Sequence, residues 1–183
     1  NSGDVSVLNI GRLRRVLRAA RRARTVLPAG PKPVWVTEIS WTSKPPDPAG
    51  IPLTRQARYL ALAFYELWAQ GVNHVFWLPL SDFPYKSLSG SGVFFHSGTP
   101  KPSAGAFRFP FVALAGARGT ATVWGRAPNA GTVSIELRRR GRWHTTLRLR
   151  TTSGGVFFAR PRLGSGAVVR AVIAGSASLS WTA

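Results

Sequence analysis

PKPVWVTEISW, residues 31–41, is an apolar run bounded by prolines at its start and carrying one carboxylate, Glu38, near its far end. It is too short for a typical helix and hydrophobic on both parities. That is the pattern of a strand inside a parallel sheet covered on both faces. Val34, Val36 and Glu38 share a parity, so an unbroken strand points all three to one side. A carboxylate on a covered face keeps its charge only near an open end of the sheet, where water, a substrate or a counter-charge reaches it. Parallel α/β barrels keep their chemistry at that end. The competing reading is a Glu held by a buried Arg for packing alone, and spacing leaves both readings open.

Upstream, RLRRVLRAARRAR places Leu13, Val16, Leu17 and Ala20 at i, i+3, i+4 and i+7, an amphipathic helix. Its arginines at 12, 14, 15, 18, 21, 22 and 24 fall mainly off the apolar stripe, as on the solvated side of a barrel's outer helix. A basic stripe without a groove-reading motif is only an electrostatic footprint. Pro28 and Gly30 end the helix. Downstream, the proline-rich TSKPPDPAGIP follows the strand, and loops of that kind carry function in α/β folds. Thr54 is the expected N-cap of a second helix, in which Ala57, Leu60, Ala61, Phe64 and Trp68 trace one face and Gly71 supplies the stop. GVNHVFWLPLSDFP is a second strand-like run ending in a carboxylate, Asp82. Helix, strand, loop, helix, strand is the alternation of a parallel α/β sheet, seen through two units.

Between residues 85 and 102 turn formers surround a short VFF patch, and a short helix is expected through Ala104, Ala106 and Phe107. At Phe109 the pattern changes to short alternating strands. GTVSIEL puts Val133, Ile135 and Leu137 on one side; RWHTTLRLR puts Trp143, Leu147 and Leu149 against His144, Thr146, Arg148 and Arg150. With TATVW, GVFFA, AVVRAVIA and SLSW, this predicts six or seven strands of an antiparallel, immunoglobulin-like β-sandwich. The expected domains are therefore 1–108 and 109–183.

Composition bounds the rest. The 183 residues include 44% apolar residues, enough for real cores, and 25 Lys and Arg against 6 Asp and Glu give a formal charge of +19. Non-specific attraction to polyanions follows from that charge whatever the fold. The absence of Cys excludes disulfides and thiolate metal sites. No apolar run approaches the roughly 20 residues of a membrane span. The first residue is Asn and no signal peptide is visible, so the chain is expected to be a fragment whose targeting segment lies elsewhere.

Three stretches together resemble the end of the (β/α)8 barrel, or TIM barrel, of the clan A retaining glycoside hydrolases. PVWVTEISW is similar to that clan's seventh strand, which ends in the nucleophilic Glu. GVNHVFWLPLSD is similar to its eighth strand, whose Trp lies beneath the sugar. SGTPKPSAGAFR resembles the segment that closes the barrel, with an x-G-x-P-K-P core. The resemblance covers residues 1–108. It implies α/β architecture made of the last two βα units of the barrel, Glu38 as nucleophile and Trp77 as sugar platform. Trp41 is a lesser platform and Asp82 an acceptor for a sugar hydroxyl. The later domain looks like the small sandwich appendages of bacterial secreted glycosidases, which implies an extracellular protein acting on carbohydrate.

Retaining hydrolysis needs two carboxyls about 5–5.5 Å apart, one attacking the anomeric carbon and one protonating the leaving oxygen. Glu38 supplies one. The clan's acid/base lies on the fourth strand, upstream of this chain, so the 183 residues alone are expected to be inactive. Asp4 and Asp47 fall in expected loops, Glu66 on a helix and Glu136 on the sandwich's polar face. Two other classes remain: a basic, non-enzymatic protein binding nucleic acid or acidic polysaccharide, and a sugar-binding inert relative of the barrel. Among the seven Trp, core packing is expected for Trp68, Trp143 and Trp181. His74, His96 and His144 have no metal-ligand spacing, and no dinucleotide or phosphate loop is present, so no cofactor or metal is expected.

Overall fold

The computed structural model describes residues 5–84 and 90–183. The loop reading of Asp4 and of 85–89 lies outside the described residues. In chain order, helix α1 (Gly11–Arg22) leads to strand β1 (Trp35–Ile39). Two-residue strands β2 (Ser43–Lys44) and β3 (Ile51–Pro52) pair in parallel across the proline-rich loop. Helix α2 (Leu53–Ala69) returns the chain to β4 (His74–Trp77), and α3 (Pro102–Arg108) follows. After Arg108 come β5 (Phe111–Ala115), one 3₁₀ turn (Ala117–Gly119), β6 (Ala121–Arg126), β7 (Thr132–Arg139) and β8 (Arg142–Arg150). The last strands are β9 (Val156–Ala159), β10 (Val168–Ile173), β11 (Ser176–Ala177) and β12 (Trp181–Thr182).

Strands β1 and β4 are adjacent and parallel, joined through α2, as the βα alternation predicts. Trp35 pairs with His74, Val36 with Val75 and Ile39 with Trp77. Thr37 and Glu38 therefore face the single Phe76: a bulge interrupts the strand. Val34 and Ile39 are buried with Ala57, Leu60, Ala63 and Leu67 of α2, and Val36 and Trp41 pack on the same cluster, while Glu38 is exposed. The expectation that Glu38 shares a side with Val34 and Val36 is thus corrected. The extra residue turns Glu38 to the opposite face while Ile39 rejoins the core. Leu60 and Leu67 are completely buried, each contributing roughly 1.5–3 kcal/mol.

Helix α2 begins two residues earlier than expected; Pro52, not Thr54, holds the cap position, and no side chain caps it. It ends before Gly71, whose φ of +74° suits the glycine stop. Its buried residues, Gln56, Ala57, Leu60, Ala61, Ala63 and Leu67, form a wider band than the expected stripe. One side meets the β1–β4 pair. On the other, Ala61 is buried with Val112 and Trp124, and Phe64 and Tyr65 pack against them. Helix α1 is the larger departure. None of its residues is buried, and Val16 is 64% exposed, so of the predicted stripe only Leu17 packs against the core cluster. Its start is tied to the end of α2: Gly11 N donates to Gln70 Oε1 at 3.0 Å, and Gln70 Nε2 donates to the carbonyl of Val7 at 2.6 Å.

The second half is antiparallel. One sheet runs β5-β6-β9; the other runs β11-β10-β7-β8, with β12 on the edge of β10. Strand β5 was not marked by the sequence pattern, being apolar at nearly every position. Phe111, Ala113, Val123 and Phe157 of the first sheet meet Val133, Ile135, Leu137, Val169 and Ala171 of the second, the arrangement of a β-sandwich. A bulge between β7 and β8 leaves Thr146 unpaired: Ile135 pairs with Leu147 but Glu136 with Thr145. That slip corrects the expected faces of β8. Leu147 and Leu149 point to the core, whereas Trp143, opposite Arg138, turns to the solvent face, where the Arg170 guanidinium lies 4.3 Å from its ring centroid. The molecule is thus a mixed α/β fold with three helices among the described residues and antiparallel sheets packed as a sandwich.

Candidate functional site

Glu38 projects from the far half of β1, on the face of the β1–β4 pair turned away from α2. Both edges of this two-stranded sheet are unpaired among the described residues. The face is aromatic: Trp35 is 54% exposed, its ring 4.6 Å from that of His74 and 5.9 Å from Phe76, both also exposed. Beyond β4, Leu78 and Leu80 are exposed as well. No cation lies within ion-pair distance of Glu38 among the described residues. The alternative of a Glu held by a buried Arg therefore has no support in the geometry. The carboxylate is free, solvated and set level with Phe76, past the Trp35–His74 pair.

Asp82 sits differently from the expected sugar-hydroxyl acceptor. Its side chain is 2% exposed and its Oδ1 accepts from Lys101 Nζ at 2.7 Å, with the Lys side chain fully buried, and from Gly92 N at 2.9 Å. Lys101 Nζ also donates to Ser43 Oγ at 3.0 Å and to the carbonyl of Gly90 at 3.1 Å, so its three donors are satisfied. Burial pushes the Lys101 pKa below its ordinary value, and the hydrogen bond and charge of Asp82 offset part of that. Oδ2 of Asp82 is buried without a partner. Gln56 extends the network from α2, donating to the carbonyl of Trp41 at 2.7 Å and accepting from Ser103 Oγ at 2.8 Å. These bonds tie together the segments following β1 and β4, residues 90–92 and the start of α3.

Trp77, the expected platform, is 7% exposed and belongs to the core beside Ile39 and Val93. Its Nε1 donates to the carbonyl of Ser91 at 3.0 Å. A stacking platform needs a free ring face, and Trp77 has none here. Trp41, half-buried at the end of β1, lies 5.9 Å from Trp77 and edge-on to Tyr59 at 5.6 Å. Sequence reasoning thus separated Glu38 from the other three candidates less than the structure does: Glu38 faces out, while Trp41, Trp77 and Asp82 support the strand ends from behind. It missed Lys101, Gln56 and the Trp35–Phe76 face. Lys101 was visible within the x-G-x-P-K-P segment; its partner was not, since 19 residues separate it from Asp82. No group of metal-ligating side chains occurs among the described residues.

No family model matches the chain, and no curated protein matches it. Among solved structures it is similar to a calcium-binding mutant of Bacteroides uniformis beta-glucuronidase 2, with 12% identity and a TM-score of 0.39. The match covers 98% of this chain and 24% of that one, so the chain spans about a quarter of the structure it matches. A likeness of this degree assigns neither fold family nor activity. No helix among the described residues is long and apolar enough to cross a membrane.

Proposed function

We propose that the chain forms the last two βα units of the (β/α)8 barrel of a secreted retaining glycoside hydrolase, with Glu38 as nucleophile and residues 109–183 as its accessory domain. The observation that carries this reading is the free Glu38 level with Phe76 and past the uncovered Trp35–His74 ring pair, on a parallel strand pair with open edges. A barrel interior is filled by layers of side chains, and its catalytic groups stand just past the last layer, at the carboxyl ends of the strands. Trp35 and His74 suit such a layer, and Glu38, level with Phe76, the position past it. The bulge serves the same end, since bulges re-aim side chains beside active sites.

In this mechanism the Glu38 carboxylate forms a bond to the anomeric carbon as the bond to the leaving oxygen breaks. A second carboxyl, supplied by strands outside this chain, protonates that oxygen, and water then releases the sugar from Glu38. Asp82 cannot be that second group, being buried against Lys101. Asp82 and Trp77 instead hold the strand ends, and Trp41 stands half-buried beside them.

The test is Glu38→Ala in the longer protein that this reading requires. Turnover of an activated aryl glycoside should fall roughly 10³-fold or more, and azide entering the vacated space should restore part of it as a glycosyl azide of inverted configuration. Retained configuration in the azide product would make Glu38 the acid/base, and near-normal turnover would remove it from the chemistry. The 183-residue chain by itself should turn over no aryl glycoside.

A further inference from the structure

The solvent face of β7, β8 and β10 is independent of Glu38. Register fixes its membership: Arg148 stands beside Ser134 and Val172, Arg150 beside Thr132, and Thr145 beside Glu136 and Arg170, with Arg138 opposite Trp143. At the end of the hairpin Arg139 and Arg142 pair at the parity of Leu137 and His144, so they lie with Arg140 and His144 on the other side. Four guanidinium groups, those of Arg138, Arg148, Arg150 and Arg170, thus share a face with one carboxylate, Glu136, and that carboxylate is already bound by Arg170 at 2.8 Å. Arg138, Arg148 and Arg150 are exposed and have no carboxylate within ion-pair distance among the described residues. Three unpaired like charges on one sheet face repel one another, and a multivalent anion relieves that repulsion.

We infer that this face is a docking surface for an anionic glycan, carboxylated or sulfated. Residues two apart on a strand are about 6.5–7 Å apart, so Arg148 and Arg150 form a pair of forks for carboxylate or sulfate, with Arg138 further along the neighbouring strand beyond Glu136. Thr132, Ser134 and Thr145 lie among them and supply partners for sugar hydroxyls. The aromatic ring on this face, Trp143, is covered by Arg170, which leaves no open platform for the base stacking that single-stranded nucleic acid uses. No large apolar side chain stands exposed on the face to enter a lipid surface.

Binding of the 183-residue chain to polygalacturonate and to dextran sulfate, against neutral dextran and oligonucleotides, tests the assignment at about 0.15 M salt, where long-range charge effects are screened. Arg148→Ser with Arg150→Ser should weaken polyanion binding about tenfold or more and flatten the slope of log affinity against log salt. Arg15→Ser with Arg18→Ser on α1 makes the same change in net charge and should leave affinity within about twofold. If the β8 pair fails to fold, judged by circular dichroism, Arg138→Ser, set against Arg15→Ser, reads the same face. Equal losses for the α1 and sheet variants would reduce the effect to net charge and overturn the inference. So would preference for an oligonucleotide or no binding at that salt. None of these results bears on Glu38, so this surface and the proposed hydrolase stand or fall separately.

Discussion

Lys101 and Asp82 are both buried, and each is tolerable because the other is there. Removing a single member of such a pair strands the remaining charge, at a cost of about 3–5 kcal/mol, whereas removing both leaves only a packing change. Lys101→Met should therefore lower stability in urea by about 3–5 kcal/mol, and adding Asp82→Asn should recover much of the loss. A single variant within about 1 kcal/mol of the parent would mean that the pair contributes nothing. The pH dependence has a definite sign. Because Lys101 is lowered in the folded chain, the unfolded chain binds its proton more tightly. Its contribution is therefore least favourable below the folded pKa and improves as pH rises toward the ordinary value of 10.5. In Lys101→Met that alkaline rise should disappear from the stability profile.

The helices differ in what they bury, and mutation should separate them. Leu60→Ala in α2 removes a fully buried side chain and should cost about 2–5 kcal/mol. Val16→Ser in α1 should stay within about 0.5 kcal/mol, because that residue faces water. A large loss at Val16 would mean that α1 is packed in solution in a way the structure does not have. The same contrast explains what the sequence revealed about the elements. Apolar runs between prolines and glycines were enough to place β1, α2 and β4 and to pair the strands in parallel. Two faces were misjudged for one reason: a bulge adds a residue without changing composition, and every position beyond it changes side. Glu38 and Trp143 both lie at such slips. For Glu38 the slip improved the candidate, moving the carboxylate into the open; for Trp143 it moved a presumed core ring under Arg170. The burial of Asp82 and Trp77 has a different origin, since strand patterning locates a residue near a sheet's end but not the loops that cover it.

At the level of the whole molecule, the two halves expected from the pattern change near Phe109 share a seam. Trp68, 39% exposed, lies 5.8 Å from Trp124 and 5.7 Å from Phe158, and Tyr65 lies 5.8 Å from Trp124, so rings from α2 interleave with rings from β6 and β9. Arg58 of α2 adds a contact over Trp181, 4.9 Å from its centroid. Such aromatic pairs are worth about 0.5–1.5 kcal/mol each beyond the area that they bury. A chain ending at residue 108 should accordingly unfold at lower urea than the whole chain and bind a hydrophobic dye, through the side of α2 that β5 and β6 now cover. An unchanged midpoint without dye binding would mean that the seam is idle. Helix α2 thus belongs to two cores at once, and that makes residues 109–183 a graft rather than a tag. A different sandwich could replace them in a chimera only if it brought its own rings to meet Tyr65 and Trp68.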